Sequence, residues 1–223
     1  LFLARMKLGM FDPAEIVSYA QIPFDINNSK KHDELSLKTA MSSMTLLKNN
    51  GVLPIDINKI NKIAVVGPNA DNINALLGNY HGTPSNPVTF INGLNNYIGK
   101  RAEITYSKGV DLVKDGADGL NLLSDSIIKD VKKADLAIFV GGLDATWEGE
   151  EMPGGINIDG FYNGDRTRIE MPEIQQKAIK AMIDTGTPVV LVLMAGSSIA
   201  LSGLEKELEA ILMAWYPGQR GGD

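Results

Sequence analysis

The sequence predicts an α/β fold, with helices layered on a mainly parallel sheet. Two observations predict it. Five short runs are rich in apolar and β-branched residues: "KIAVVG" (62–67), "AEITYSKG" (102–109), "DLAIFVGG" (135–142), "PVVLVLMAG" (188–196) and "EAILMAWYPG" (209–218). Runs of this kind suit strands covered on both faces, as in parallel sheets. Helical segments lie among them: "VTFINGLNNYI" (88–98), "GLNLLSDSIIKDVKKA" (119–134) and "PEIQQKAIKAMIDTG" (172–186). Strands alternating with helices are the signature of stacked βαβ units.

The elements follow in order. Residues 1–30 hold a short apolar helix-like piece, then "GMFDP" and an irregular polar segment; "FDINNSKKHDE" (24–34) reads as a linker into a helix. From Leu37, apolar residues fall at Ala40, Met41, Met44 and Leu47, which is helical spacing, until "NNG" (49–51) and Pro54 stop it. In the last helical segment Pro172 suits the first turn and Gly186 the stop. The chain begins without Met or a signal-peptide pattern and stops in the glycine-rich "WYPGQRGGD". It is therefore expected to be a piece of a longer protein. In open sheets of this type ligands gather outside the carboxyl ends of the strands.

Composition narrows the function. The 223 residues carry a net charge of −6 and no basic stripe, which argues against a nucleic-acid partner. No run of 18 apolar residues is present, which argues against a membrane partner. The absence of cysteine excludes disulfides, thiolate catalysis and cysteine-ligated metals. With only His32 and His81, a histidine-rich zinc site is not expected. Neither cofactor nor metal is called for.

Several motifs carry possible chemistry. "GPNAD" (67–71) has neither a P-loop lysine nor a GxGxxG spacing, so a tight turn capped by Asn69 or Asp71 is expected rather than a phosphate cradle. His32 sits among lysines and is expected to be solvated. His81 lies in "LLGNYHGTPS" (76–85), a polar and aromatic loop of the sort that can line a site. The stretch "GLDATWEGEEM" (142–152) places Glu148, Glu150 and Glu151 directly after Trp147, past the end of a strand. Crowded carboxylates raise one another's pKa, and a neighbouring indole adds desolvation. Both effects favour a carboxylic acid that keeps its proton for a leaving-group oxygen. Trp147 could also pack on the apolar face of a sugar. On these residues alone, a solvated acidic loop with Trp147 folded into the core is the plainer reading. In "NGDRTRIEMP" (163–172), Asp165 and Arg166 can brace a loop, or Arg166 can fork a carboxylate.

Seven segments together point further. "KLGMFDP", "SSMTLLKNNGVLPI" (42–55), "IAVVGPNAD" (63–71), "LLGNYHGTPS", "GLDATWEGEEM", "GDRTRIEMPEIQQ" and "AWYPGQRGGD" occur in that order along nearly the whole chain. In this, the chain resembles the α/β-sandwich domain of family-3 glycoside hydrolases, the β-glucosidases and β-xylosidases. The resemblance implies a three-layer sandwich around a mainly parallel, about six-stranded sheet with one antiparallel strand. It implies that residues 1–30 are a linker from an upstream (β/α)8-type barrel, and that 31–223 are the sandwich domain, cut at its C-terminal end. It implies retaining hydrolysis, in which a barrel aspartate attacks the anomeric carbon and a glutamate of the sandwich acts as acid and then base. Glu148 fits that position first, with Glu150 and Glu151 as close competitors. Trp147, His81 and Arg166 are the candidate substrate-binding residues.

The substrate implied is an oligosaccharide from plants, cut at a terminal β-xylosyl or β-glucosyl residue. The spacing of "WEGEE" and "GDR" leans towards the xylosidases. A periplasmic or secreted location is the family expectation. The alternative is a non-catalytic module that binds carbohydrate or only supports the barrel; a flavodoxin-like nucleotide binder is a third possibility.

Overall fold

Strand β4 (Leu136–Gly142) sits inside a six-stranded sheet with all seven of its residues buried. The computed structural model describes residues 1–114, 123–148 and 157–223. The chain divides into two compact units, Leu1–Leu35 and Ser36–Asp223. The first holds α1 (Phe2–Lys7), three 3-10 turns (Ala14–Ile16, Ser18–Gln21, Phe24–Ile26) and the opening of α2 (Lys30–Ser43). None of its residues is buried, and Phe2, Leu3, Met6, Leu8, Met10 and Phe11 are exposed.

The second unit contains the sheet. Helix α2 stops at Ser43 and β1 (Thr45–Asn49) follows at once, which corrects the helical spacing read through Leu47. The reason is tertiary. Strand β1 pairs antiparallel with β8 (Ala210–Met213), Thr45 opposite Met213 and Asn49 opposite Ala210. Those inter-strand bonds outweigh a weak local preference.

The remaining strands of the sheet are β2 (Lys62–Val66), β3 (Glu103–Ser107) and β7 (Val189–Met194). Their order is β1-β8-β7-β4-β2-β3; β1 is antiparallel and the other five are parallel. Alternate residues of each buried strand serve opposite faces, because side chains in a strand have a period of two. Ala137, Phe139, Val189, Leu191 and Leu193 join one core cluster; Leu136, Ile138, Val140, Val190 and Val192 join the other. Helices α4 (Asp125–Lys132) and α5 (Glu173–Ile183) contribute Val131, Ile179 and Met182 to the first. Helix α3 (Phe90–Ile98) contributes Ile91 and Ile98 to the second. The result is three layers, as expected. Of the helix read over 119–134, residues 119–122 lie outside the described residues, and helix begins at Asp125.

A two-stranded hairpin, β5 (Phe161–Tyr162) and β6 (Asp165–Arg166), was not read from the sequence. Its turn residues Asn163 and Gly164 both have positive φ, 49° and 90°. That is the demand of a tight primed turn, and Asn-Gly is its standard signal.

The chain path also fixes a switch point. From β2, the next strand β3 lies on one side and β4 on the other. The connections after β2 and β4 therefore lead to opposite sides of the sheet, the switch point at which open sheets of this type take ligands. At the end of β4, Gly142 has φ of +123°, and a Cβ there would stand 2.0 Å from the Met194 carbonyl oxygen. Only glycine lets β4 close on β7 at this point.

Gln175 of α5 locks the same strand end. Its side chain is wholly buried. Oε1 accepts from the Gly142 N–H at 2.8 Å, while Nε2 donates to the Gly142 carbonyl at 2.7 Å and to that of Leu112. Each buried polar group left unpaired costs about 1–3 kcal/mol. Gln175→Leu should therefore destabilise the protein by roughly 3 kcal/mol, seen as a lower urea midpoint at an unchanged m-value. An unshifted midpoint would show that the lock is idle.

Candidate active site

The site is built from loops that leave β2, β4, β7 and β8 at their carboxyl ends. After β2, the Asn69 N–H donates to the Val140 carbonyl at 3.1 Å, and its Nδ2 to the Leu143 carbonyl at 3.0 Å. Asn69 thus ties the β2 loop to the end of β4. Neither it nor Asp71 is the helix cap expected of them. That part falls to Asn72, whose side chain accepts from the Asn74 N–H at the start of a 3-10 turn, Ile73–Leu76. Asp71 instead accepts from the Thr89 hydroxyl at 2.9 Å.

Asp144, two residues past β4, is buried at 3% exposure. A buried carboxylate needs donors. Oδ1 accepts from the Thr146 N–H at 3.0 Å and from its hydroxyl, and Oδ2 from Asn72 Nδ2 at 3.1 Å. The Trp147 N–H adds a bond to the Asp144 carbonyl at 3.0 Å. The loop therefore leaves the strand on a rigid mount. Trp147 is half-buried. Its indole meets Phe161 of β5 edge to face, with centroids 5.6 Å apart. It also lines a cleft with Pro68, Asn72 and Tyr106.

Glu148 is half-buried too, and donors surround its carboxylate. Oε2 accepts from the Gly196 N–H at 2.8 Å and from the Tyr216 hydroxyl; Oε1 accepts from the Ser197 hydroxyl. Its backbone carbonyl accepts from Asn79 Nδ2 at 2.8 Å, which joins the loop carrying His81. Behind Ser197 stands Arg166 of β6. Its Nη1 donates to Ser197 Oγ at 2.8 Å and to the Ser198 carbonyl at 2.9 Å, and its Nη2 to the Glu170 carbonyl at 3.3 Å.

Of the residues singled out from the sequence, the fold brings Trp147, Glu148 and Arg166 into one neighbourhood. His81 is exposed, its Nδ1 lying 2.8 Å from the Gly82 carbonyl in its own loop. His32 is exposed, as expected. Glu150 and Glu151 lie outside the described residues. Sequence reasoning missed Asp144, Asn72, Asn79, Ser197 and Tyr216. Ser197 did carry a signal, since it follows the run 188–196 already read as a strand, whereas Tyr216 fell inside the run read as 209–218, of which only Ala210–Met213 is strand. Among the described residues, no group of three or more His, Asp or Glu side chains could hold a metal ion, and no helix is long and apolar enough to cross a membrane.

A layered sheet of this order, with an acidic loop at its switch point, has known counterparts. Residues 44–223 match the glycosyl hydrolase family 3 C-terminal domain, and the chain belongs to that family. A β-xylosidase from Formosa agariphila is 31% identical over 100% of this chain and 29% of its own length. A probable β-D-xylosidase 7 from Arabidopsis thaliana is 34% identical over 100% of the chain and 27% of its own. A periplasmic β-glucosidase from Salmonella typhimurium is 31% identical over 98% of the chain and 30% of its own. The chain thus spans under a third of the length of these relatives. Among solved structures, a GH3 exo-β-xylosidase (XlnD) in complex with a xylobiose aziridine activity-based probe superimposes with a TM-score of 0.81 at 28% identity, over 98% of this chain and 26% of that one. The Bifidobacterium adolescentis GH3 β-glucosidase gives 0.74 at 27% identity, over 99% and 30%. This chain is the C-terminal domain known from β-xylosidases and β-glucosidases.

Burial, followed by the hydrogen bond to Glu148 and the charge of that carboxylate, pushes the Tyr216 phenol far above the ordinary tyrosine range. The unfolded chain releases this proton near pH 10, while the folded one keeps it. Above that pH the native state binds more protons than the unfolded state, so stability falls as pH rises. Tyr216→Phe should flatten this alkaline decline. Urea midpoints between about pH 9 and 11 measure it, and equal slopes in the two proteins would refute the coupling.

Proposed function

We propose that the chain is the acid/base-bearing domain of a retaining, exo-acting β-glycosidase that removes terminal β-xylosyl or β-glucosyl residues from plant oligosaccharides. One observation carries this reading. Glu148, the first glutamate of the sequence stretch "WEGEE", follows the carboxyl end of the central strand β4, and residues from the loops after β2, β7 and β8 bond to it.

In the first step a carboxylic acid of this segment protonates the glycosidic oxygen while a carboxylate nucleophile attacks the anomeric carbon. The same group, now a base, takes a proton from the water that releases the sugar. Trp147, steadied by Phe161, offers a flat apolar surface to the sugar ring. His81 and Arg166 are the polar groups offered to sugar hydroxyls, Arg166 while holding Ser197 and Ser198. The nucleophile is the aspartate of an upstream barrel joined through residues 1–30. The exposed Phe2, Leu3, Met6, Leu8, Met10 and Phe11 support that reading, since so many exposed large apolar side chains close together in sequence call for a covering partner. The xylosidase names among the relatives favour a β-xylosyl substrate, and the periplasmic relative favours a place outside the cytoplasm.

The test is a set of Glu→Gln changes at 148, 150 and 151 in the intact enzyme. Loss of a general acid costs about 10²–10⁴-fold where the leaving group needs a proton. One variant should show that loss on alkyl glycosides and xylobiose, and a far smaller one on dinitrophenyl glycosides. Full turnover of both substrate types by all three variants would make the domain a carbohydrate-binding or barrel-supporting module instead. The 223-residue chain alone should release no nitrophenol from nitrophenyl β-xyloside or β-glucoside. Turnover by the pure chain would remove the need for a barrel nucleophile.

A further inference from the structure

We infer that Glu148 delivers its proton from Oε1, and that Ser197, held by Arg166, is the residue that positions this oxygen. The inference rests on the acid/base reading above, with Glu148 as the donor, and adds which oxygen reacts and what aims it.

An ionised carboxylate offers about four acceptor positions, two on each oxygen. The fold fills both positions of Oε2. The Gly196 N–H donates to it at 2.8 Å, and the Tyr216 hydroxyl donates to it as well. One position on Oε2 therefore faces a backbone group that can only donate. A proton on the other would be spent on the Tyr216 oxygen. Oε1 differs. Among the described residues its one donor is the Ser197 hydroxyl, so a position on this oxygen stays open to carry a proton outwards.

Ser197 is itself set. Its oxygen accepts from Arg166 Nη1 at 2.8 Å. Arginine keeps its charge and has no acceptor, so the single Ser197 hydrogen is directed away from it and to Oε1. Arg166 also donates to the Ser198 carbonyl at 2.9 Å and the Glu170 carbonyl at 3.3 Å, which seats its fork against the loop after β7. The series from Arg166 through Ser197 to Glu148 thus runs in one direction and ends on the oxygen with the open position. Hydrogen bonds in such a series polarise one another. On the other side, a Cβ on Gly196 would lie 2.9 Å from Oε2 and 2.8 Å from the Tyr216 ring, so Oε2 is packed closely as well as bonded. Oε2 is the anchored end of the carboxyl group and Oε1 the working end.

The experiment uses the intact enzyme with Ser197→Ala, Arg166→Gln, their double variant, Tyr216→Phe and Glu148→Gln. Values of kcat/KM on alkyl and dinitrophenyl glycosides are taken per active site, counted by the dinitrophenol burst from a 2-deoxy-2-fluoro glycoside, so that unfolded protein is not scored. The alkyl leaving group needs the proton and the dinitrophenyl one does not. Ser197→Ala and Arg166→Gln should each lower kcat/KM about tenfold to a hundredfold on the alkyl glycoside, and less than about threefold on the dinitrophenyl one. The double variant should lose no more than Ser197→Ala alone, because Arg166 acts through Ser197. The oxygen itself is read from infrared difference spectra of the acid-titrated enzyme, each protein taken against its counterpart with Gln at 148. With the proton on Oε1, the carbonyl of the acid is Cδ=Oε2. Tyr216→Phe should then move its stretch to higher wavenumber by removing a donor, and Ser197→Ala should leave it in place.

A stretch that moves with Ser197→Ala and not with Tyr216→Phe puts the proton on Oε2 and overturns the inference. So does a loss in Ser197→Ala that is no larger on the alkyl than on the dinitrophenyl glycoside. Equal losses on both substrates in Arg166→Gln would make Arg166 a sugar-binding residue instead and overturn its positioning role. In each of these cases a selective alkyl loss in Glu148→Gln leaves the acid/base reading standing. If Glu148→Gln shows no leaving-group dependence, that reading fails for Glu148, and the inference fails with it.

Discussion

Everything at the functional end depends on β4 being covered on both faces. Its Leu136, Ile138 and Val140 face one core cluster and Ala137 and Phe139 the other, and β2 and β7 pair with its two edges. A strand enclosed in this way presents polar chemistry only where it ends. The chain leaves it at Gly142, where backbone packs on backbone, and the next residues must find hydrogen bonds at once. The acidic segment inherits its position from that exit.

The polar groups around the exit form a second layer of order. Gln175 serves the Gly142 amide and carbonyl, Asn69 serves the Leu143 carbonyl, and Asn72 serves Asp144. In a low-dielectric interior an unpaired group is costly, so each of these bonds stiffens the exit, although, among the described residues, Asn69 Oδ1 is buried there without a partner. These side chains come from α5 and from the loop after β2, on different sides of the exit. The site is thus held from several elements at once, and Glu148 extends the same principle to the loops after β7 and β8.

Much of the fold was legible in the residues. The runs at 62–67, 135–142 and 188–196 are apolar because they are enclosed, and enclosure is a property composition records directly. Pro172 and Gly186 marked the ends of α5 for local steric reasons. Strand β1 was not legible: Met44 and Leu47 also fit a helical spacing, and only the pairing with β8 excludes it. The β5–β6 hairpin was within reach through Asn163 and Gly164, whose positive φ is a local demand.

By itself, the sequence determined the five parallel strands of the sheet and the helices packed on them, that "WEGEE" follows a strand end, and, through seven ordered segments, the family. Hydrophobic burial and backbone sterics are short-range and leave their mark on neighbouring residues. Only the tertiary structure decided what Glu148 faces. Its partners Gly196, Ser197 and Tyr216 lie 48, 49 and 68 residues away along the chain. Crowding with Glu150 and Glu151 suggested a carboxylate pressed by like charge and an indole. The indole packs on Phe161 and donors gathered by sheet order meet the Glu148 carboxylate, while Glu150 and Glu151 lie outside the described residues. Hydrogen-bond partners brought together by strand order have no local signature, because the order is set by which faces can be buried together.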